Sequence, residues 1–133
     1  MNVSRLREAY YFIAAQPVDQ VDLQCFSFRP SGGPVCGCAL GLLAASEHFG
    51  LTLDAGGYPR IGKNRSLQAA QVVFDINQHQ AVELFSSVQK NDAPASSDKE
   101  VFLNRMEAFL PKYGHTLYDT LDAAVAEPVC NVL

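Results

Sequence analysis

The sequence predicts a mainly α fold: a compact single domain over 1–133, with about six helices around a buried central helix and a short hairpin or extended segment beside them. Three observations predict it. Apolar residues make up 48% of the chain and charged residues 18%, a balance that fills a core and departs from the polar, highly charged composition of disordered chains. Apolar positions recur at helical spacing along most of the chain. Capping signals, prolines and glycines divide those runs into helical lengths.

The first helix is expected over 3–15, with Val3, Leu6, Ala9, Tyr10 and Ile13 on one side and Arg5, Arg7 and Glu8 on the other, closed by Pro17. In "VDQVDLQCFSF", Val21, Leu23 and Cys25 alternate with Asp22 and Gln24, the period of an extended segment with one buried face. "RPSGGP" is a turn. From Cys36 or Cys38 to Phe49 the run is apolar all round, as in a helix covered on every side, and 38–49 reads as one continuous rod, the central helix. Gly50 suits the left-handed residue beyond its end, and His48 in its last turn suits the helix dipole.

Gly56-Gly57, between the short apolar groups of 51–65, predicts a small hairpin. Ser66 then opens a helix bearing Leu67, Ala70, Val73 and Phe74. Asn77 with Gln80 makes a capping box for another, bearing Ala81, Leu84, Phe85 and Val88. "QKNDAPASS", 89–97, is an internal polar linker. Ser97 with Glu100 makes a second capping box, opening a helix through Phe102, Met106, Phe109 and Leu110 that Pro111 and Gly114 end. A last helix carries Leu117, Leu121 and Val125 and stops before Pro128.

A net charge of −4 argues against nucleic acid as a partner, because phosphate backbones are bound by clustered Lys and Arg. Arg60, Lys63 and Arg65 form a local basic cluster, read as solvated loop charges. No stretch reaches the roughly eighteen apolar residues of a membrane helix, and the N-terminus lacks the pattern of a signal peptide, so the expected location is cytoplasmic, with no membrane partner. The terminal Cys130-Asn131-Val132-Leu133 has the form of a prenylation box, but "AVAEP" before it is acidic where a basic second signal belongs, and it reads as coincidence.

The candidate chemistry centres on sulfur. Cys36 and Cys38 stand at a helix start, where unpaired N–H groups and the dipole favour a thiolate. A catalytic thiol needs a base. Along one straight rod His48 would lie about 15 Å from Cys38, which leaves His79 or His115 as candidate partners. Cys25, Cys36 and Cys38 would be the candidate ligands of a structural zinc ion, although paired Cys-x-x-Cys spacing is absent. Arg29, Gly32 and Gly33 are candidate anion ligands at a glycine-rich turn feeding a helix, without the lysine of a P-loop. The carboxylates Asp19, Asp22, Glu83, Asp119 and Asp122 fall on polar faces, and none is singled out. No cofactor motif is present.

"LREAYYFIAAQP", "DLQCF", "CALGLLAA" and "AVELF" together resemble a diffuse group of small uncharacterised proteins from bacteria and their phages, over about positions 4 to 86. Those proteins open with a helix running into Pro and reach a helix that begins with Cys, two small or apolar residues and Gly. Their additional Cys, five residues before the helix Cys, corresponds here to Gly33, with Cys36 displaced, so a two-cysteine site is not carried over. The resemblance implies origin and fold and no particular activity.

The function expected is therefore that of a small acidic, non-enzymatic interaction protein, phage-derived and binding a host protein. The alternatives are a thiol-dependent enzyme using Cys36 or Cys38, a small zinc-binding domain, and self-association as a homodimer through Tyr10, Tyr11, Phe12 or Phe26.

Overall fold

The computed structural model describes residues 1–23, 39–44 and 46–117. In chain order the elements are α1 (Val3–Ala14), a 3-10 turn (Val18–Gln20), α2 (Ala39–Ala44), a second 3-10 turn (Glu47–Phe49), strands β1 (Thr52–Leu53), β2 (Pro59–Ile61) and β3 (Asn64–Arg65), then α3 (Leu67–Phe74), α4 (Gln78–Phe85) and α5 (Asp98–Lys112). The mainly α class is what the sequence predicts. Five α-helices, not six, lie among the described residues, and the expected last helix falls outside them except for Leu117, which is not helical.

Five phenylalanines run through the core as a continuous file, one from each of five elements. Phe12 of α1 meets Phe49 edge-on at 6.1 Å, Phe49 meets Phe74 of α3 at 6.3 Å, Phe74 stacks on Phe85 of α4 at 5.5 Å, and Phe85 meets Phe102 of α5 at 5.7 Å. Phe74 at the centre is fully buried. Offset and edge-on ring pairs each add about 1 kcal/mol to the area they bury. This file explains why elements that are individually short hold together, since isolated helices of under about 12 residues are marginal in water.

α1 starts where Asn2 caps it, the Asn2 side chain accepting from the Arg5 N–H at 3.1 Å, and it buries Leu6, Ala9 and Ile13 along one side. The Asn2 N–H also donates to the Phe74 carbonyl at 2.7 Å, which ties the start of α1 to the end of α3. Polar ties join α1 and its following turn to α5: Tyr10 donates to Glu107 at 2.8 Å, Lys99 to the Gln16 carbonyl at 2.7 Å, and the Leu23 N–H to Asp98 at 2.8 Å. Val21 and Leu23 are buried as the alternating pattern requires, although Val18–Gln20 winds into a 3-10 turn instead of extending.

The expected rod over 38–49 is corrected. Its apolar start is helical and Ala39, Leu40, Gly41, Leu42 and Leu43 are all buried, but α2 ends at Ala44. Ser46 is extended and its hydroxyl accepts from the His48 N–H, so it caps a separate 3-10 turn. That break brings Phe49 into the aromatic file at 2% exposure and leaves Gly50 to close the turn in the left-handed region at φ 72°. The imidazole of His48 is thereby placed against the Glu8 carboxylate of α1.

The hairpin expected in 51–65 is the first half of a three-stranded antiparallel sheet, ordered β1-β2-β3. Thr52 faces Arg60 and Leu53 faces Pro59; Arg60 then faces Arg65 and Ile61 faces Asn64. Asp54 builds the first turn, its carboxylate accepting from the Gly56 and Tyr58 N–H groups at 2.9 and 3.0 Å. Packing against α2 and α3 gives the sheet its covered side.

The capping box of α4 is present in full, Asn77 accepting from the Gln80 N–H and Gln80 from the Asn77 N–H. That of α5 is half formed: Ser97 accepts from the Glu100 N–H, whereas the Glu100 carboxylate accepts from the Ser96 hydroxyl at 2.6 Å. Pro111 does not end α5 but lies in its last turn. The carbonyl left without its donor belongs to Glu107, an exposed residue, so it is open to solvent. Gly114 stops the helix at φ 85°, with the Gly114 N–H on the Pro111 carbonyl and the His115 N–H on Leu110, a Schellman motif.

Ser66 stands at the start of α3 as expected, but at φ 54°, ψ −122° and with no side-chain cap bond. A β-carbon in that region is strained by about 1–3 kcal/mol, and Gly is not. Ser66→Gly should therefore stabilise the protein by about 1 kcal/mol after its own entropy cost, read as a higher urea midpoint at unchanged slope; a lower midpoint would refute the strain.

Candidate functional site

Between α4 and α5 runs an open groove of about 620 Å³, bordered by the 86–93 segment. One arginine builds its floor. Arg105, at mid-length in α5, reaches the end of α4 and the segment beyond it with all five of its N–H donors. Nε donates to Asp92 Oδ1 at 2.8 Å and Nη2 to Asp92 Oδ2 at 2.7 Å, a fork on a fork. Nη1 donates to the Ser86 carbonyl at 2.6 Å and more weakly to that of Leu84 at 3.3 Å, and Nη2 also donates to the Ser87 carbonyl at 2.9 Å.

The chemistry of α4 makes this necessary. The Val82 carbonyl accepts from the Ser86 N–H at 3.1 Å, but the Leu84 carbonyl and those of Ser86 and Ser87 beyond the helix accept no backbone N–H among the described residues, and no glycine follows to fold the chain back over them. A guanidinium there supplies both the missing donors and a positive charge at the negative end of the helix dipole. Asp92 is positioned by a tight turn in which the Gln89 N–H donates to its carboxylate at 2.7 Å and the Asp92 N–H returns to the Gln89 carbonyl at 3.1 Å. The Arg105 and Asp92 side chains are 7% and 13% exposed, so most of the surface of each is turned to protein and little of it to water. The polar 89–97 segment is thus bound down at its first half.

At one end of the groove Glu83 joins the two helices. It accepts from Lys112 at 3.2 Å and from the Tyr113 hydroxyl at 3.1 Å, and it lies one helical turn from His79, with 4.0 Å between the nearest atoms. The Glu83 hydrogen bond holds the Lys112 ammonium above its ordinary range. The rest of the lining is mixed: Val82, 41% exposed, Ala93 and Ala108 are apolar, while the Asn91 and Asn104 amides make no hydrogen bond among the described residues.

Of the residues the sequence singled out, His79 is on the groove rim, 81% exposed, with Glu83 as its neighbour. His115 gives its backbone N–H to the Leu110 carbonyl at the end of α5. Cys25, Cys36, Cys38 and Cys130, and the turn residues Arg29, Gly32 and Gly33, fall outside the described residues, as do Asp119 and Asp122. Among the described residues no three His, Cys, Asp or Glu side chains converge as metal ligands, and no helix is long and apolar enough to cross a membrane. Of the residues considered for a dimer patch, Tyr10 donates to Glu107 and its ring meets that of Tyr11 edge-on at 5.1 Å, Phe12 packs on Phe49, Tyr11 is 44% exposed, and Phe26 lies outside the described residues. Compared with known proteins, the chain matches no family model, no curated sequence and no solved structure at a significant level.

Sequence reasoning missed Arg105 and Asp92. They are thirteen positions apart, outside any helical pairing rule, and Arg105 reads as one more charge on a solvated face. The only available signal was α4 ending without a glycine.

Breaking a fully buried pair from one side costs about 3–5 kcal/mol and a surface pair under about 1 kcal/mol, and this partly buried pair lies between. Arg105→Met should therefore lower unfolding free energy by about 2 kcal/mol, and Arg105→Lys, which keeps the charge but cannot fork, by about 1 kcal/mol, both read by urea denaturation. A loss under about 0.5 kcal/mol for either would contradict the clasp.

The Asp92 carboxyl is held below the ordinary aspartate range, first by the hydrogen bonds from Arg105, then by the Gln89 N–H, against the opposing effect of desolvation. A depressed folded value means that its contribution is complete above the unfolded value of about 3.9 and lost as pH falls through the lower folded value. The acid limb of the stability profile below about pH 4 should be shallower in Asp92→Asn; an unchanged limb would show that the pair does not form.

Proposed function

We propose that the protein is a small interaction module that receives an extended segment of a partner protein in the groove between α4 and α5. The supporting observation is the combination of a floor whose polar groups are already satisfied by Arg105 with walls that carry exposed Val82 and Ala108 beside the uncommitted amides of Asn91 and Asn104. Apolar area supplies the attraction and a side-chain amide pairs with a peptide backbone through one donor and one acceptor. A floor held by five hydrogen bonds needs little ordering when the partner arrives, which lowers the entropy cost of binding.

The net charge of −4 and the resemblance to bacterial and phage proteins support a host protein as the partner and the cytoplasm as the place. A thiol-dependent reaction would run through residues outside the described part of the chain.

The test is site-specific photocrosslinking in lysate of the native host. A benzoylphenylalanine at position 104 should join a discrete partner protein, and the same group at Gln68, exposed on α3, should not. Identical products from both positions, or none from 104, would reject the groove as the recognition surface.

A further inference from the structure

The three basic residues read from the sequence as loop charges belong to a sheet, and the register sorts them. Pro59 is buried and Ile61 packs on the core, so Arg60, between them in β2, projects from the opposite face. Its direct cross-strand neighbours are Thr52 and Arg65. Two arginines face each other across a pair of strands, an arrangement that is destabilising unless something compensates the charge.

Arg65 has compensation. Its Nε lies 2.9 Å from Asp54 and its guanidinium 4.4 Å from the centre of the Tyr58 ring, and Asp54 is itself fixed by the Gly56 and Tyr58 N–H groups. Arg60 has none: its Nε is buried without a hydrogen-bond partner, and no ion pair reaches its guanidinium among the described residues. Guanidinium donors are ordinarily satisfied; the Nε of Arg60 is covered, and the Nη groups, which have no acceptor among the described residues, are the ones an anion can reach. Lys63, exposed in the two-residue turn joining β2 to β3, is a third cation without a carboxylate beside it. Gly62 next to it is at φ 58° with nothing within 4 Å of where a β-carbon would stand, so the turn is open to approach. Three cations and one carboxylate thus share one corner of a chain whose net charge is −4.

We propose that this face of the sheet binds a phosphate group, free or at the end of a small ester, with Arg60 as its main ligand and Arg65 and Lys63 completing the site. A phosphate suits it better than a carboxylate because the two guanidinium forks and the ammonium offer more donors, at more angles, than two coplanar oxygens accept. Arg65 is held in place by Asp54 and Tyr58 before the anion arrives.

The test is nitrogen–proton correlation NMR of the full chain, titrated with inorganic phosphate and, separately, phenyl phosphate at constant ionic strength held with chloride. A saturable shift of the Arg60 Nε–H and of the Gly62 and Lys63 amides is expected, reduced about tenfold in affinity by Arg60→Gln and several-fold by Lys63→Gln. Response to both probes identifies a site for the bare group, and response to phenyl phosphate alone a site for an ester. If the spectrum of Arg60→Gln shows it unfolded, Arg60→Lys, which keeps the charge and loses the fork, should weaken binding several-fold. No saturable shift with either probe, an undiminished shift in the folded variants, or a response confined to a single-stranded oligonucleotide would overturn the proposal.

Discussion

A guanidinium that loses its water must find an acceptor for every donor, and Arg105 finds five in the space of nine residues: the Leu84, Ser86 and Ser87 carbonyls and both oxygens of Asp92. That requirement sets more of the structure than the size of the side chain suggests. It stops α4 without a glycine, turns the following polar segment back against α5, and fixes the floor of the groove between them. The desolvation of the pair is offset only while this geometry is complete, which makes the arrangement specific as well as stabilising.

The aromatic file and the clasp divide the work. Phe12, Phe49, Phe74, Phe85 and Phe102 hold the elements together through area and ring geometry, but they leave the surface between α4 and α5 unspecified. Arg105 and, nearer the helix ends, Glu83 with Lys112 and Tyr113 specify it. A rigid groove of this kind and the basic face of the sheet are separate features, one formed by α4 and α5 and the other by β2 and β3. The proposed partner site and the proposed anion site therefore rest on separate elements.

How much could be read in advance follows from the range of the interactions. The starts of α1, α4 and α5, the left-handed Gly50 and Gly114, and the turn at Gly56-Gly57 are decided within four or five residues, and helical spacing with capping chemistry identifies them. The break at Ser46 is decided elsewhere. Ala-Ala-Ser-Glu is acceptable helix, and it is the place waiting for Phe49 between Phe12 and Phe74, with Glu8 ready for His48, that outweighs the local preference. Pro111 shows the reverse case, a strong local stop tolerated because its lost bond is at the surface. The clasp and the facing arginines depend on which strands and helices are neighbours, so the one trace of either in the sequence is the missing glycine after α4, and the candidate thiols lie outside the described residues.

The most direct test of the clasp as the organising interaction is native-state hydrogen exchange at the Gln89 and Asp92 amides, which the turn at 89–92 uses as donors. In the unaltered protein both should be protected well beyond free-peptide rates, and in Arg105→Met both should lose that protection while the α3 amides keep theirs. Exchange of these two amides at free-peptide rates in the unaltered chain would mean that the segment is not bound down, and that the groove has no fixed floor.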